Sequence, residues 1–207
     1  VIIGVILASG IYPLISNALE KVDGAKSVVA GSKSGVNTEY TGTFGTNCSF
    51  SYIDTNQALA ITKTNRNTDS IFDVRDLETK LTAAVSLGNC PVNSIKFTGD
   101  FFIEENLNDM FNIYAGADPN IWRTLDTFDL RSGTLTSTVS SEGGARMFKG
   151  RSSLTYLDTL DNLKLNPNDS KVGSMASMFE DCSSLKSLKF PTIPNGISGP
   201  TDLSSMF

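Results

Sequence analysis

The chain's 207 residues fit one domain, or one domain with an appendage, and an apolar fraction of 40% is enough for a packed core. Its 22 acidic residues outweigh 17 basic ones, giving a net charge of −5, the wrong sign for the basic surface that displaces counterions from nucleic-acid phosphates. The sequence has no histidine, which excludes Ser-His-Asp and Cys-His nucleophiles, His-ligated zinc and a haem with a proximal histidine.

The first segment, Val1–Leu19, carries no charged residue. As a helix it would be apolar around its whole circumference and about 28 Å long, close to the ~30 Å of a bilayer core. A soluble core strand over Val1–Leu7 is the bland alternative. Gly4, Gly10 and Pro13 suit a helix surrounded by lipid or by other helices. The first charges, Glu20, Lys21, Asp23 and Lys26, are mixed in sign and lie only on the C-terminal side, and no basic n-region of a signal peptide precedes the stretch. A chain that starts abruptly on an apolar stretch resembles a type IV pilin, bacterial or archaeal, over about residues 1–28. Val5 stands where bacterial members carry a glutamate, a residue that archaeal members usually lack. That resemblance implies an assembly helix made of Val1, Ile2, Ile3, Val5, Ile6, Leu7, Ile11, Leu14 and Ile15, packed in the centre of a filament after leaving the membrane. A plain transmembrane anchor is the alternative for the same residues.

Residues 23–37 are rich in small residues and read as a helix running into a linker. Tyr40 and Phe44, then Cys48, Phe50 and Tyr52, alternate at the strand period, and Ala58–Ile61 reads as a second strand after the turn Asp54-Thr-Asn56. Val74, Leu77, Leu81, Ala84 and Val85 recur at helical spacing, with Asp73 as N-cap and Gly88 as stop.

From residue 93 onward one pattern recurs. Met-Phe pairs stand at Met110-Phe111, Met147-Phe148, Met178-Phe179 and Met206-Phe207, three of them preceded by an apolar residue at Leu107, Met175 and Leu203; the second copy has Gly144 there. Such i, i+3, i+4 spacing predicts a short helical turn. Ser-Ser-Leu-x-x-Leu follows twice, at Leu154…Leu157 and Leu185…Leu188. Strand-like triplets stand at Ile95-Lys-Phe97, Phe128-Asp-Leu130, Leu163-Lys-Leu165 and Leu188-Lys-Phe190. No unit this small buries its own apolar face, so neighbours must stack into a solenoid. Residues 178–190, followed by 201–207, resemble the BspA-like leucine-rich repeats of bacterial surface proteins: Met-Phe-x-x-Cys-x-x-Leu-x-x-Leu is present from Met178, through Cys182 and Leu185, to Leu188. The resemblance is close over 174–207, fair over 145–165 and loose over 95–130, where 115–120 read as an insertion. It implies a surface-displayed, non-catalytic protein used in adhesion or display. Its repeat core would comprise Leu107, Met110, Phe111, Met147, Phe148, Leu154, Leu157, Met178, Phe179, Cys182, Leu185, Leu188, Met206 and Phe207. The pattern breaks off at Phe207 in mid-repeat, so the expectation is a longer protein or a Met206-Phe207 pair packed on a neighbouring subunit.

Little chemistry is hidden in what remains. Cys182 reads as a small buried hydrophobe, and a disulfide between Cys48 and Cys90 would staple the middle section. Trp122 with Tyr114 is either a capping aromatic or a carbohydrate platform, and Asn47-Cys-Ser49 and Asn168-Asp-Ser170 match the N-glycosylation pattern. The expected fold is α+β: a long hydrophobic N-terminal helix over 1–28, a small β-containing region over 29–92 and an irregular leucine-rich-repeat-like solenoid over 93–207. The expected function is a structural subunit of an extracellular pilus-like filament, or else a membrane-anchored adhesin, not an enzyme. No cofactor or metal is expected. The expected partners are copies of the chain in a helical filament, a membrane before assembly and a host or surface ligand on the repeat head, but no nucleic acid.

Overall fold

A computed structural model describes residues 37–85, 90–112, 121–140 and 143–207. The first strands follow from the alternation at their own positions. β1 (Glu39–Phe44), β2 (Cys48–Ile53) and β3 (Ala58–Lys63) form an antiparallel meander that turns Tyr40, Phe44, Cys48, Phe50, Tyr52, Leu59 and Ile61 inward. The chain then leaves the sheet through α1 (Val74–Val85) and returns parallel to β3 as β4 (Ser94–Ile103), a β-α-β crossover. Asp73 caps α1: its Oδ1 accepts the Asp76 N–H at 2.8 Å. Val74, Leu77, Leu81, Ala84 and Val85 face the sheet and are buried.

The remaining strands add in parallel. β5 (Thr127–Ser137) lies on β4, β6 (Tyr156–Leu157) and β7 (Leu163–Lys164) pair with different stretches of β5, and β8 (Ser187–Leu188) pairs with β6. Gly99 faces Gly133 across the β4–β5 pair, and a Cβ on Gly133 would lie 2.2 Å from the Gly99 carbonyl oxygen, so this close approach requires glycine.

The expected fold class needs correction. The described residues form one mixed sheet of 8 strands with a single 12-residue α-helix, and among them no helix is long and apolar enough to cross a membrane. The expected helix over 1–28, with all nine of its assembly residues, lies outside the described residues. The small β-region and the repeats do not separate either. β3 pairs with β4 across residue 92, because parallel β4 satisfies the meander's open edge and offers its own edge to the repeat strands.

The repeat register also differs from its sequence reading. Ile95 pairs with Phe128, Thr127 with Tyr156, and Leu157 with Leu188, so the ladder runs Ile95, Phe128, Leu157, Leu188. Leu163 instead faces Leu135, farther along β5. The Leu163-Lys-Leu165 triplet therefore belongs to a second, outer row, while the ladder strand comes from the end of Ser-Ser-Leu-x-x-Leu.

The Met-Phe segments are not helical. In all four units the residue before the methionine adopts a left-handed backbone: Asp109 (φ 63°), Arg146 (φ 56°), Ser177 (φ 57°) and Ser205 (φ 50°). Such a residue reverses the chain within a tight turn, which swings the following Met and Phe into the core. Left-handed backbone at a non-glycine residue costs on the order of 1 kcal/mol. At Ser177, a Gly variant is therefore expected to be more stable than a Val variant by about 1–2 kcal/mol, since both lose the hydroxyl and only Gly relieves the strain. Urea unfolding of the two variants measures the difference; equal stabilities would remove the left-handed turn from the account.

Candidate contact surface at the end of the stack

Each Met-Phe turn hands hydrogen bonds to the next in one direction. The N–H of the left-handed residue donates to the carbonyl two residues before the next methionine: Asp109 to Ala145 (3.0 Å), Arg146 to Ala176 (3.0 Å) and Ser177 to Ser204 (3.0 Å). The phenylalanine N–H donates to the next methionine carbonyl: Phe111 to Met147 (2.9 Å), Phe148 to Met178 (3.0 Å) and Phe179 to Met206 (2.9 Å). The rings stack above these bonds, Phe111 on Phe148 at 5.7 Å, Phe148 on Phe179 at 6.0 Å and Phe179 on Phe207 at 5.7 Å, each pair near parallel. Gly144 breaks the apolar pattern because its backbone is left-handed, with φ +82°, where any side chain would be strained.

Ion pairs cross the same steps on the outside. Arg146 grips Asp109 through Nε (2.8 Å) and Nη2 (2.7 Å), and Lys149 reaches Glu180 at 2.8 Å. The guanidinium of Arg146 holds the Asp109 carboxyl below its usual range. These partly exposed pairs each contribute at most about 1 kcal/mol and chiefly fix register.

The interior holds a polar device that the sequence reading missed. Cys182 Sγ donates to the Phe148 carbonyl of the preceding unit at 3.1 Å. One unit earlier the same slot, four residues after the methionine, is Arg151, whose Nε donates to the Phe111 carbonyl. Cys182 is therefore a donor as well as a small hydrophobe, and the slot's requirement is a hydrogen aimed at the previous Phe carbonyl. Arg151 is fully buried, its Nη1 and Nη2 meet no hydrogen-bond partner among the described residues, and burial pushes its pKa down to about 9. The buried Glu78 carboxylate offsets part of that penalty; it accepts from Trp122 Nε1 at 2.5 Å and pairs with Arg75 at 3.1 Å. Trp122 is thus an interior capping ring, not an exposed carbohydrate platform; its companion Tyr114 lies outside the described residues.

The disulfide expectation is also corrected: Cys48 and Cys90 are not bridged. Cys48 donates to the Ile71 carbonyl (3.2 Å) just before α1, whereas Cys90 contacts Thr82 (3.9 Å) in the helix's C-terminal half. The two thiols thus meet separate neighbours, one ahead of α1 and one beside its C-terminal half. Burial raises the Cys48 thiol to about 12 and the Cys182 thiol to about 11, which leaves both as unreactive thiols at neutral pH. Asn47 of the first glycosylation pattern is half-buried, with Asn65 O, Thr68 Oγ1 and Ser70 Oγ all 2.8 Å from its Nδ2, whereas Asn168 is exposed.

Of the repeat residues, Leu107, Met110, Phe111, Met147, Phe148, Leu154, Leu157, Met178, Phe179, Cys182 and Met206 meet in one buried core. Leu185 and Leu188 pack against it only partly buried, and Phe207 is 71% exposed. Phe207 is therefore corrected from core to surface: one ring face lies on Phe179 and, among the described residues, no further unit covers the other. Phe190 (50% exposed) meets it edge-on at 6.5 Å, and together they rim a groove above β8. No protein-family model, curated protein or solved structure matches the chain.

A second hollow, of about 450 Å³, lies at the start of α1 between Asp73, Asp76, Glu104 and Glu105. Its acids serve the backbone: Asp76 accepts the Gly45 N–H (2.8 Å) and Glu105 accepts the Val74 N–H (2.5 Å). Burial, reinforced by Asp73 and Glu78 and opposed by Arg75 and the Val74 bond, raises Glu105 to about 7. Because the folded pKa exceeds the unfolded one, the stability contributed by protonated Glu105 is fully present below the unfolded value of about 4.5 and is lost as the pH rises through about 7. Urea unfolding at pH 5 and pH 8 should accordingly show Glu105→Gln losing less stability than the parent over that interval. Parallel behaviour of the two proteins would contradict the raised pKa.

Proposed function

We propose that the chain is a cell-surface display protein, in its most specific form the subunit of a pilus-like extracellular filament. The charge-free stretch Val1–Leu19 packs among its copies, and the repeat head faces outward to make adhesive contacts. The observation that carries this is the segregation of charge, with nineteen uncharged residues followed by 188 that carry every charge of the chain. Apolar burial at about 25 cal/mol per Å² supplies the cohesion. The likeness of residues 174–207 to BspA-like leucine-rich repeats supports a surface location and a contact role rather than catalysis. So does the commitment of the interior polar groups Arg151, Glu78 and Cys182 to links between units. A second reading, a membrane-anchored adhesin with the same head, is favoured by the match between the stretch's helical length and a bilayer core.

Electron microscopy of the purified full-length protein separates the two readings. Filament assembly predicts filaments from the parent chain and none from Val5→Asp or Ile6→Lys, since a charge inside the apolar packing is left without a partner. Variants that polymerise normally would sink the filament reading. A parent chain that stays with membranes and is monomeric in detergent would establish the anchor instead.

A further inference from the structure

The fold puts the chain's two acceptor patterns for asparagine-linked sugar in opposite settings. Asn47-Cys-Ser49 runs from the β1–β2 turn into β2, where Cys48 pairs with Phe44 on one side and Lys63 on the other. Asn47 is left-handed (φ 56°) and its carboxamide is held at both ends. Its Oδ1 accepts the Asn65 N–H at 2.6 Å, and oxygens of Asn65, Thr68 and Ser70 each stand 2.8 Å from Nδ2. Ser49, the third residue of the pattern, is engaged as well, its Oγ lying 2.8 Å from Thr62 Oγ1 on β3. A sugar carbon bonded to Asn47 Nδ2 would have to displace those oxygens.

Asn168-Asp-Ser170 is arranged the other way. Residues 166–169 form a tight turn: the Asp169 N–H reaches the Asn166 carbonyl at 3.4 Å, and the Asn168 N–H donates to Asn166 Oδ1 at 3.0 Å. Pro167 presets the backbone at the second position of that turn. Asn166 anchors it, buried and donating from Nδ2 to the Thr138 carbonyl at 3.0 Å. Pro167 and Asn168 are therefore the outward corners, and both Asn168 and Ser170 are exposed. This exposure is not that of a stack end. On the later side, the Ser198 N–H donates to the Ser170 carbonyl (3.2 Å) and the Val172 N–H donates to the Ser198 carbonyl (3.0 Å). Both flanks of the loop already have their neighbours in the stack, and Asn168 still faces outward.

We propose that Asn168 is a glycosylation site of this chain and that Asn47, despite its matching pattern, is not. The donor is an oligosaccharide joined through its anomeric carbon to a lipid pyrophosphate. Asn168 Nδ2 bonds to that carbon and gives up one proton; the carbon–oxygen bond to the pyrophosphate breaks, and the lipid pyrophosphate leaves with the bonding electrons. The product is a bulky, hydrated group on the outside of the repeat stack, where it adds solubility without entering the core. The proposal rests on the cell-surface reading above, because the acceptor pattern marks surface loops of secreted proteins.

The test offers the folded full-length chain, held in detergent and free of sugar beforehand, to an oligosaccharyltransferase that requires only Asn-x-Ser/Thr, with its lipid-linked oligosaccharide. Peptides of residues 43–53 and 163–173 give the enzyme's own preference for each sequence, and mass spectrometry reads the added sugar at each asparagine. Transfer to Asn168 in the chain should run within about threefold of its peptide, whereas transfer to Asn47 should fall about tenfold or more below its peptide, because it waits for the loop over 65–70 to open. Asn168→Gln should remove the added mass from the folded chain. Refusal of the 163–173 peptide would overturn the proposal, as would transfer to Asn168 slowed as much as transfer to Asn47. An unmodified Asn168 in protein taken from the surface of the cells that make it would do so too. Detergent keeps assembly through Val1–Leu19 out of the measurement, so a failure here leaves the filament reading standing, and a loss of filaments leaves this result standing.

Discussion

The bond from each phenylalanine N–H to the methionine carbonyl of the next unit fixes how the repeats stack. It requires the Met-Phe pair to present its backbone edge-on, and the left-handed residue immediately before the methionine achieves that. Once the backbone edges meet, the phenylalanine rings have one place to go, and they stack at 5.7–6.0 Å with little tilt. The turn row also explains how sheet strands of only two residues, such as β6 and β8, persist. They are the far side of a unit already held in register by its turn.

The links have a direction, and much of the molecule's asymmetry follows from it. At one end the antiparallel meander and α1 close the sheet with a conventional apolar layer that buries Tyr40, Phe44 and Leu77. Beyond it, each turn from Asp109 to Ser177 passes its N–H groups to the turn that follows it. Between them, the slot occupied by Arg151 and then by Cys182 shows how a stack tolerates exchange. A guanidinium and a thiol have little in common except a hydrogen that reaches the same carbonyl. The guanidinium is the costlier occupant, with two nitrogens that meet no partner among the described residues, and it is kept within the influence of the buried Glu78 carboxylate.

How far the sequence predicts these features depends on whether the determining interaction is local. The helical spacing of Val74, Leu77 and Leu81 and the cap at Asp73 are local, and so is the alternation through Tyr40, Phe50 and Tyr52; all were legible. The Met-Phe recurrence was legible too, but its backbone was not. Ser, Arg and Asp before a methionine do not announce positive φ as glycine would, and i, i+3, i+4 apolar spacing serves a tight turn as well as a helix. Register was hidden because Leu154…Leu157 and Leu163-Lys-Leu165 are both apolar, and only pairing with β5 decides which joins the ladder. The supposed Cys48–Cys90 bridge failed on chain path, since α1 lies between the two thiols. In the candidate surface, the leucines and aromatics could be read from the repeat, whereas the hydrogen bonds that link one turn to the next come from backbone geometry alone.

Native-state hydrogen exchange at three phenylalanine amides tests the directional stack most directly. Phe111, Phe148 and Phe179 each donate to a following methionine carbonyl. The account predicts slow exchange at all three, approaching that of the central strands. Exchange at Phe111, Phe148 and Phe179 as fast as at exposed loop amides would contradict it.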